Sequence, residues 1–202
     1  MPSKEIMHKT IELFRERGGI LRAGEALALG SHPRTLYALR DAGVLEQLGR
    51  GLYRLAELPP LANPDLVTVA LKVPRGVISL VSALAFYELT TQIPHFVDLA
   101  LERGSESPRL EHPPLRLFWF SGAAWSEGIE THEIDGVQVR MYSPAKSVAD
   151  AFKLRNRVGL DVAIEALKSY RTSPAFNANE LLHYARICRV EQVMRPYLEA
   201  LL

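Results

Sequence analysis

Residues 31–55, SHPRTLYALRDAGVLEQLGRGLYRL, constrain this chain more than any other stretch. His32-Pro33 opens a helix, because proline in a first turn loses no needed amide and pre-sets φ. Ser31 or His32 then serves as the cap. Leu36 and Leu39 recur at helical spacing and face inward, which leaves Arg34, Thr35, Tyr37, Ala38 and Asp41 toward solvent or a partner. Gly43 supplies a left-handed stop. Two short apolar-rich runs follow, 44–48 and 52–55, joined by Gly49-Arg50-Gly51, the composition of a tight hairpin turn with an arginine at its tip. A helix running into a basic-tipped hairpin is the signature of a winged helix-turn-helix.

The residues before this stretch fit the same order. Over 4–17, Ile6, Thr10, Leu13 and Phe14 recur at three- and four-residue spacing among charged positions, which predicts an amphipathic helix. Gly18-Gly19 stops it, Ile20-Leu21 leads on, and a short helix over 23–29 ends at Gly30. In a winged helix the helix over 33–41 enters the major groove by its N-terminal half. Arg34 then suits the O6 and N7 edges of guanine, and Thr35 a thymine methyl or a phosphate. Arg50 at the hairpin tip reaches the minor groove or a phosphate. The alternative for Arg34 and Thr35 is a solvated helix surface, and for Arg50 a turn kept soluble. Tyr53 is assigned to the core, because its face of the short strand continues to Leu55.

Charge limits how DNA would be bound. The 202 residues carry 24 Lys and Arg against 23 Asp and Glu, a net charge of +1, so any contact must be local. Within 31–55, Arg34, Arg40, Arg50 and Arg54 stand against Asp41 and Glu46, a small surplus that permits phosphate contact. The single cysteine, Cys188, allows no internal disulfide and reads as a small buried hydrophobe. The six histidines are scattered without zinc-ligand spacing, so neither a metal nor another cofactor is expected. No long apolar run and no leader-like start are present, and a cytoplasmic protein is expected.

The three prolines of AELPPLANP (56–64) mark a boundary. The expected division is a winged helix over 1–58, a linker over 59–62 and a larger domain over 63–202. In the larger part, a helix over 65–72, Val77-Ile78 and a second helix from Ser79 or Ser82 precede strands at 96–101 and 115–120. The second strand carries the alternating Leu115, Leu117 and Trp119. Residues 102–114 read as a mobile loop, and Asp135-Gly136 joins a hairpin. Ser143-Pro144 caps a helix over 145–155 with Val148, Ala149 and Phe152 inward. Helices over 160–170, 177–189 and 190–202 complete the chain, the third led by an Asn177/Glu180 capping box. Winged helix, mixed sheet and C-terminal helical run make an α+β fold.

Other chemistries find less support. Asp98 and Glu102 lack the lysine that a metal-dependent nuclease would place after its acids. Phe118, Trp119, Phe120 and Trp125 could stack a ligand, as in an effector-sensing regulator, although aromatics in a strand usually build core. Asp150, Lys153, Arg155 and Arg157 form the densest charged cluster of the second half. By spacing alone Asp150 and Lys153 are a surface ion pair.

Two segments resemble the AbiEi family, transcriptional regulators that act as antitoxins in type IV toxin–antitoxin systems of abortive infection. They are the winged helix ending in LGRGLYRL (48–55) and YSPAKSVADAFKLRNRVGLDVAIEALKSY (142–170). The resemblance implies a non-enzymatic, two-domain repressor whose N-terminal part binds inverted repeats in its own promoter. It also implies a C-terminal part that counteracts a toxin of nucleotidyltransferase type without requiring a stable complex. Carried onto this sequence, the DNA role falls on Arg34, Thr35, Tyr37, Arg50 and Arg54, and the antitoxin surface on Asp150, Lys153 and Arg155. Asp41 departs from the more basic recognition helices of many winged-helix repressors.

Overall fold

The computed structural model describes residues 2–200, and the chain divides into two compact units, 1–64 and 65–202. The fold is α+β: a winged helix-turn-helix, then a mixed sheet with a run of helices.

In the first unit, α1 (Lys4–Glu16) begins where the Ser3 hydroxyl accepts from the Ile6 amide, and it buries Thr10 and Phe14. It ends on Gly18 and Gly19, both at positive φ, with the Gly19 amide donating to the Phe14 carbonyl. Ile20–Arg22 is not a lead-in but a strand, β1. Three residues are too few for alternation to show, and the strand exists through pairing with β3 (Leu52–Leu55). After α2 (Ala23–Ala28) comes α3 (Pro33–Asp41), capped by His32 with Pro33 in its first turn. Gly43, at φ +70, lets the Val44 amide return to the Leu39 carbonyl. β2 (Leu45–Gly49) pairs with β3 through a register shift between Gln47 and Gly49, giving the antiparallel order β1-β3-β2. Phe14, Leu21, Ala26, Leu36, Leu39, Leu45, Tyr53 and Leu55 form one core between helices and sheet.

The second unit opens with α4 (Pro64–Lys72), β4 (Val77–Ile78) and α5 (Leu80–Phe86). β5 (Val97–Glu102), β6 (Leu115–Phe120), α6 (Ala123–Ser126), β7 (Ile129–Ile134) and β8 (Val137–Tyr142) follow. The sheet order is β6-β5-β4-β8-β7. β5/β6 and β4/β8 are parallel, and the other pairs antiparallel. Asp135 and Gly136 both take positive φ at the β7–β8 turn, as a two-residue hairpin of this hand requires.

The inward face of β6 is the opposite of the one expected from Leu115, Leu117 and Trp119. Phe118 and Phe120 are buried with Tyr142, while Trp119 is 38% exposed and donates its indole N–H to the Ser105 carbonyl. Register decides this: Arg116 lies opposite Asp98 on the face that also carries Phe118 and Phe120. The aromatics proposed as a stacking platform are therefore mostly core, with Trp125 packed partly buried against them.

The C-terminal run comprises α7 (Pro144–Lys153), α8 (Arg155–Val158), α9 (Leu160–Thr172), α10 (Ala178–Ile187) and α11 (Glu191–Glu199). α7 is central. Every residue from Ala145 to Phe152 is buried, because α5, α9 and α10 pack around it. Asn177 caps α10 by accepting from the amides of Asn179 and Glu180, whereas the Glu180 carboxylate accepts from Ser143 instead of closing a box.

Candidate nucleic-acid interface

The inward positions of α3 are Thr35, Leu36 and Leu39, so its outward stripe is Arg34, Tyr37 and Asp41, with Arg40 on the side toward the wing. Tyr37 is half exposed, at 50%. The Arg40 guanidinium lies over its ring, 5.3 Å from the centroid, and is held by Asp41 Oδ1 at 2.9 and 2.7 Å through Nε and Nη2. That carboxylate raises the already high basicity of Arg40. Arg40 Nη1 also donates to Gln47 Oε1 at 3.4 Å, and Gln47 Nε2 to the Gly49 carbonyl at 3.2 Å. A continuous polar chain thus runs from the outward face of the helix to the turn of the wing.

The wing is fixed from its other side as well. The Ala23 amide at the start of α2 donates to the Gly51 carbonyl at 2.8 Å. Arg50 is exposed in the turn beside it. Between α2, α3 and the wing lies a cleft of about 490 Å³ whose lining includes Leu27, Tyr37, Arg40, Gln47 and Arg50.

Of the five residues expected to touch DNA, the structure places Arg34, Tyr37 and Arg50 outward and two inward. Thr35 is 2% exposed, because on a nine-residue helix it shares the inward side with Leu39. Arg54 is 3% exposed. It lies on the sheet face opposite the helices, paired with Glu46 at 3.0 Å and donating to the Pro59 carbonyl of the segment after the wing. Arg54 thus sits on the wing strand with its guanidinium turned away from solvent. Arg22, in contrast, escaped the sequence reading. It stands opposite Leu52 on β1, next to the wing turn, and could have been found only by recognising that three-residue strand.

The C-terminal cluster is not a surface ion pair. Asp150 is fully buried and pairs with the equally buried Lys146, one turn earlier, at 2.5 Å. Lys153 and Arg155 remain partly exposed. Lys153 Nζ is 5.4 Å from the Phe120 ring centroid, and Arg155 donates to the Phe152 carbonyl at 2.9 Å. Arg157 lies over Phe118 at 4.3 Å. The cluster therefore keeps Asp150 inside with Lys146 and leaves Lys153 and Arg155 partly, and Arg157 more fully, exposed.

Cys188 is buried as expected, but it is more than a small hydrophobe. Its thiol donates to Asp150 Oδ1 at 3.1 Å, and burial followed by the Asp150 charge pushes it up to about 12. Asp98 is likewise occupied: its carboxylate accepts from Arg116 at 2.6 and 2.7 Å and from the Val81 amide at 3.0 Å. Among the described residues no group of three or more His, Cys, Asp or Glu side chains is placed to hold a metal ion. No helix among them is long and apolar enough to cross a membrane.

Three helices, a three-stranded sheet and an ordered wing beside α3 give the first unit the winged helix-turn-helix fold. Residues 8–56 match the model of a family described as transcriptional regulator, AbiEi antitoxin, so the resemblance noted from the sequence is supported over that stretch. The fold of the chain is similar to that of the RV2827C protein from Mycobacterium tuberculosis, known from a crystal structure. The TM-score is 0.56 at 12% identity, covering 94% of this chain and 79% of that one. No curated protein matches the chain by sequence.

Proposed function

We propose that this chain is a DNA-binding transcriptional repressor and antitoxin of a type IV toxin–antitoxin system. In this reading it autoregulates its operon through the winged helix, and the unit from residue 65 onward counteracts a nucleotidyltransferase-type toxin. The observation that carries the reading is the outward Arg34–Tyr37 face of α3 beside the Arg50 wing, within the stretch that matches a family of transcriptional regulators and antitoxins. The near-neutral charge of the whole chain agrees with recognition confined to that face. The double-stranded promoter repeats are the nucleic-acid partner, the toxin is a functional partner without a required stable complex, and no catalysis by this chain is involved. Lys153 and Arg155 are the outward residues proposed for the antitoxin surface, with Asp150 beneath them.

The test uses the full chain in cells that carry a promoter reporter and the neighbouring toxin gene. Arg34→Ala combined with Arg50→Ala should relieve repression and leave neutralisation intact. Lys153→Glu combined with Arg155→Glu should do the reverse. Loss of both functions in either folded variant would refute the division of labour.

A further inference from the structure

Resting on the DNA-binding reading above, we propose that the cleft between α3 and the wing is a seat for one DNA backbone phosphate, that Arg40 is its ligand, and that Asp41 restrains Arg40 and so sets the affinity.

Three observations converge. Arg40 is the charged residue of α3 that lines the cleft, with Tyr37 and Leu27 as apolar walls and Arg50 on the wing side. A deoxyribose can pack against such walls while a guanidinium takes the phosphate through parallel N–H donors. Next, Arg40 is already engaged in the way a phosphate would engage it: Nε and Nη2 both point at a single carboxylate oxygen, Asp41 Oδ1. A phosphate oxygen presents the same acceptor chemistry with more charge. Finally, Asp41 is placed against helix energetics. It is the last residue of α3, where the negative end of the helix dipole disfavours an acid, and its side chain is 66% exposed. Asp41 does not stabilise the end of the helix by its charge. What it contacts is Arg40.

The Gln47 link then acquires a purpose. It ties the guanidinium to the Gly49 carbonyl of the wing, so Arg40 keeps one anchor on the wing when a phosphate displaces Asp41. Asp41 must turn away from the approaching backbone, and the lost ion pair is subtracted from binding. Affinity is thereby held down without removing the cation that positions the backbone.

The experiment measures binding of the full chain to a duplex carrying its own promoter, between low and physiological salt, for wild type, Arg40→Ala, Arg40→Lys, Asp41→Asn and the Arg40→Ala/Asp41→Asn double variant. Arg40→Ala should weaken binding and flatten the plot of log K against log salt by about 0.9. Arg40→Lys should restore the slope. Asp41→Asn should tighten binding about 2- to 5-fold, the scale of an exposed ion pair. In the Arg40→Ala background that gain should vanish. An equal gain with and without Arg40 would show that Asp41 acts only as a repelling charge and overturn the proposal, as would an unchanged salt slope in Arg40→Ala. Failure of the wild-type chain to bind any promoter duplex would instead overturn the DNA reading itself. All four variants should melt close to wild type, because Asp41 is exposed and the Arg40 contacts lie at the surface.

Discussion

Lys146 Nζ and Asp150 Oδ2 meet at 2.5 Å inside the second unit, and neither side chain reaches solvent. The ammonium also lies 4.1 Å from the centroid of the Tyr142 ring and 5.1 Å from that of Phe120, and the other carboxylate oxygen takes the Cys188 thiol. Two desolvated charges are tolerable only while each has the other.

Removing one of them should therefore be costly. Lys146→Met is expected to destabilise the second unit by about 3–5 kcal/mol, because it strands a buried carboxylate. Lys146→Met combined with Asp150→Leu should cost less than either single change. Denaturant unfolding followed by a probe in that unit measures both, and a double variant as unstable as the sum of the singles would contradict the coupling. Gly128→Ala should disturb the same place. Gly128 has φ +74, and an added Cβ would fall 2.8 Å from Lys146 Cβ.

The Cys188 thiol gives a pH dependence of defined sign. Burial and Asp150 raise it to about 12, against about 8.5 in an unfolded chain. Its contribution is whole below the unfolded value and is lost as pH rises toward the folded one, since only the unfolded state then releases the proton. Stability should fall by about 1.4 kcal/mol per pH unit above pH ~8.5. Comparing urea midpoints of wild type and Cys188→Ala between about pH 8 and 9.3, below the usual tyrosine range, isolates this slope. Equal slopes would remove the thiol from the account. In the folded protein the thiol should also resist disulfide reagents at pH 8, because its thiolate is scarce and enclosed.

Arg54→Met should lower the stability of the winged helix by about 1–3 kcal/mol, since it leaves the Pro59 carbonyl without its donor and breaks the pair with Glu46. Promoter affinity of the folded fraction should barely change. A large loss of affinity at unchanged melting temperature would return Arg54 to the DNA-contact set. Thr35→Val, on the same inward side of α3, should likewise leave affinity intact.

Arg34→Ala should weaken promoter binding by about 1–3 kcal/mol and relax preference at one base pair, as expected for a residue reading a base edge. Arg50→Ala should weaken all sequences alike and reduce the salt slope by about 1. Titrations against the promoter and against duplexes altered one pair at a time distinguish the two behaviours. An Arg50 effect confined to one sequence would make it a base reader.

Much of this architecture was legible before any coordinates. The His32-Pro33 opening, the Gly43 stop, the Gly49-Arg50-Gly51 turn and the Asp135-Gly136 hairpin are local, and each depends on backbone preferences that a residue carries with it. The inward residues Val148, Ala149 and Phe152 of α7 were equally readable, because they recur at helical spacing. Tertiary structure decided what spacing leaves open. β1 exists only because β3 pairs with it, and the inward face of β6 was chosen by its register against Asp98. Around α7, burial on all sides turned Asp150 from the expected partner of Lys153 into that of Lys146. On α3, Thr35 turned inward and Arg40 toward the wing, since the helix's rotation about its axis is set by what Leu36 and Leu39 pack against. The sequence by itself determined the capped starts and glycine stops of the helices and the tight turns, because those signals act within a few residues. Which way each charged side chain points was decided by the tertiary structure, because desolvation depends on every neighbour that packing brings near.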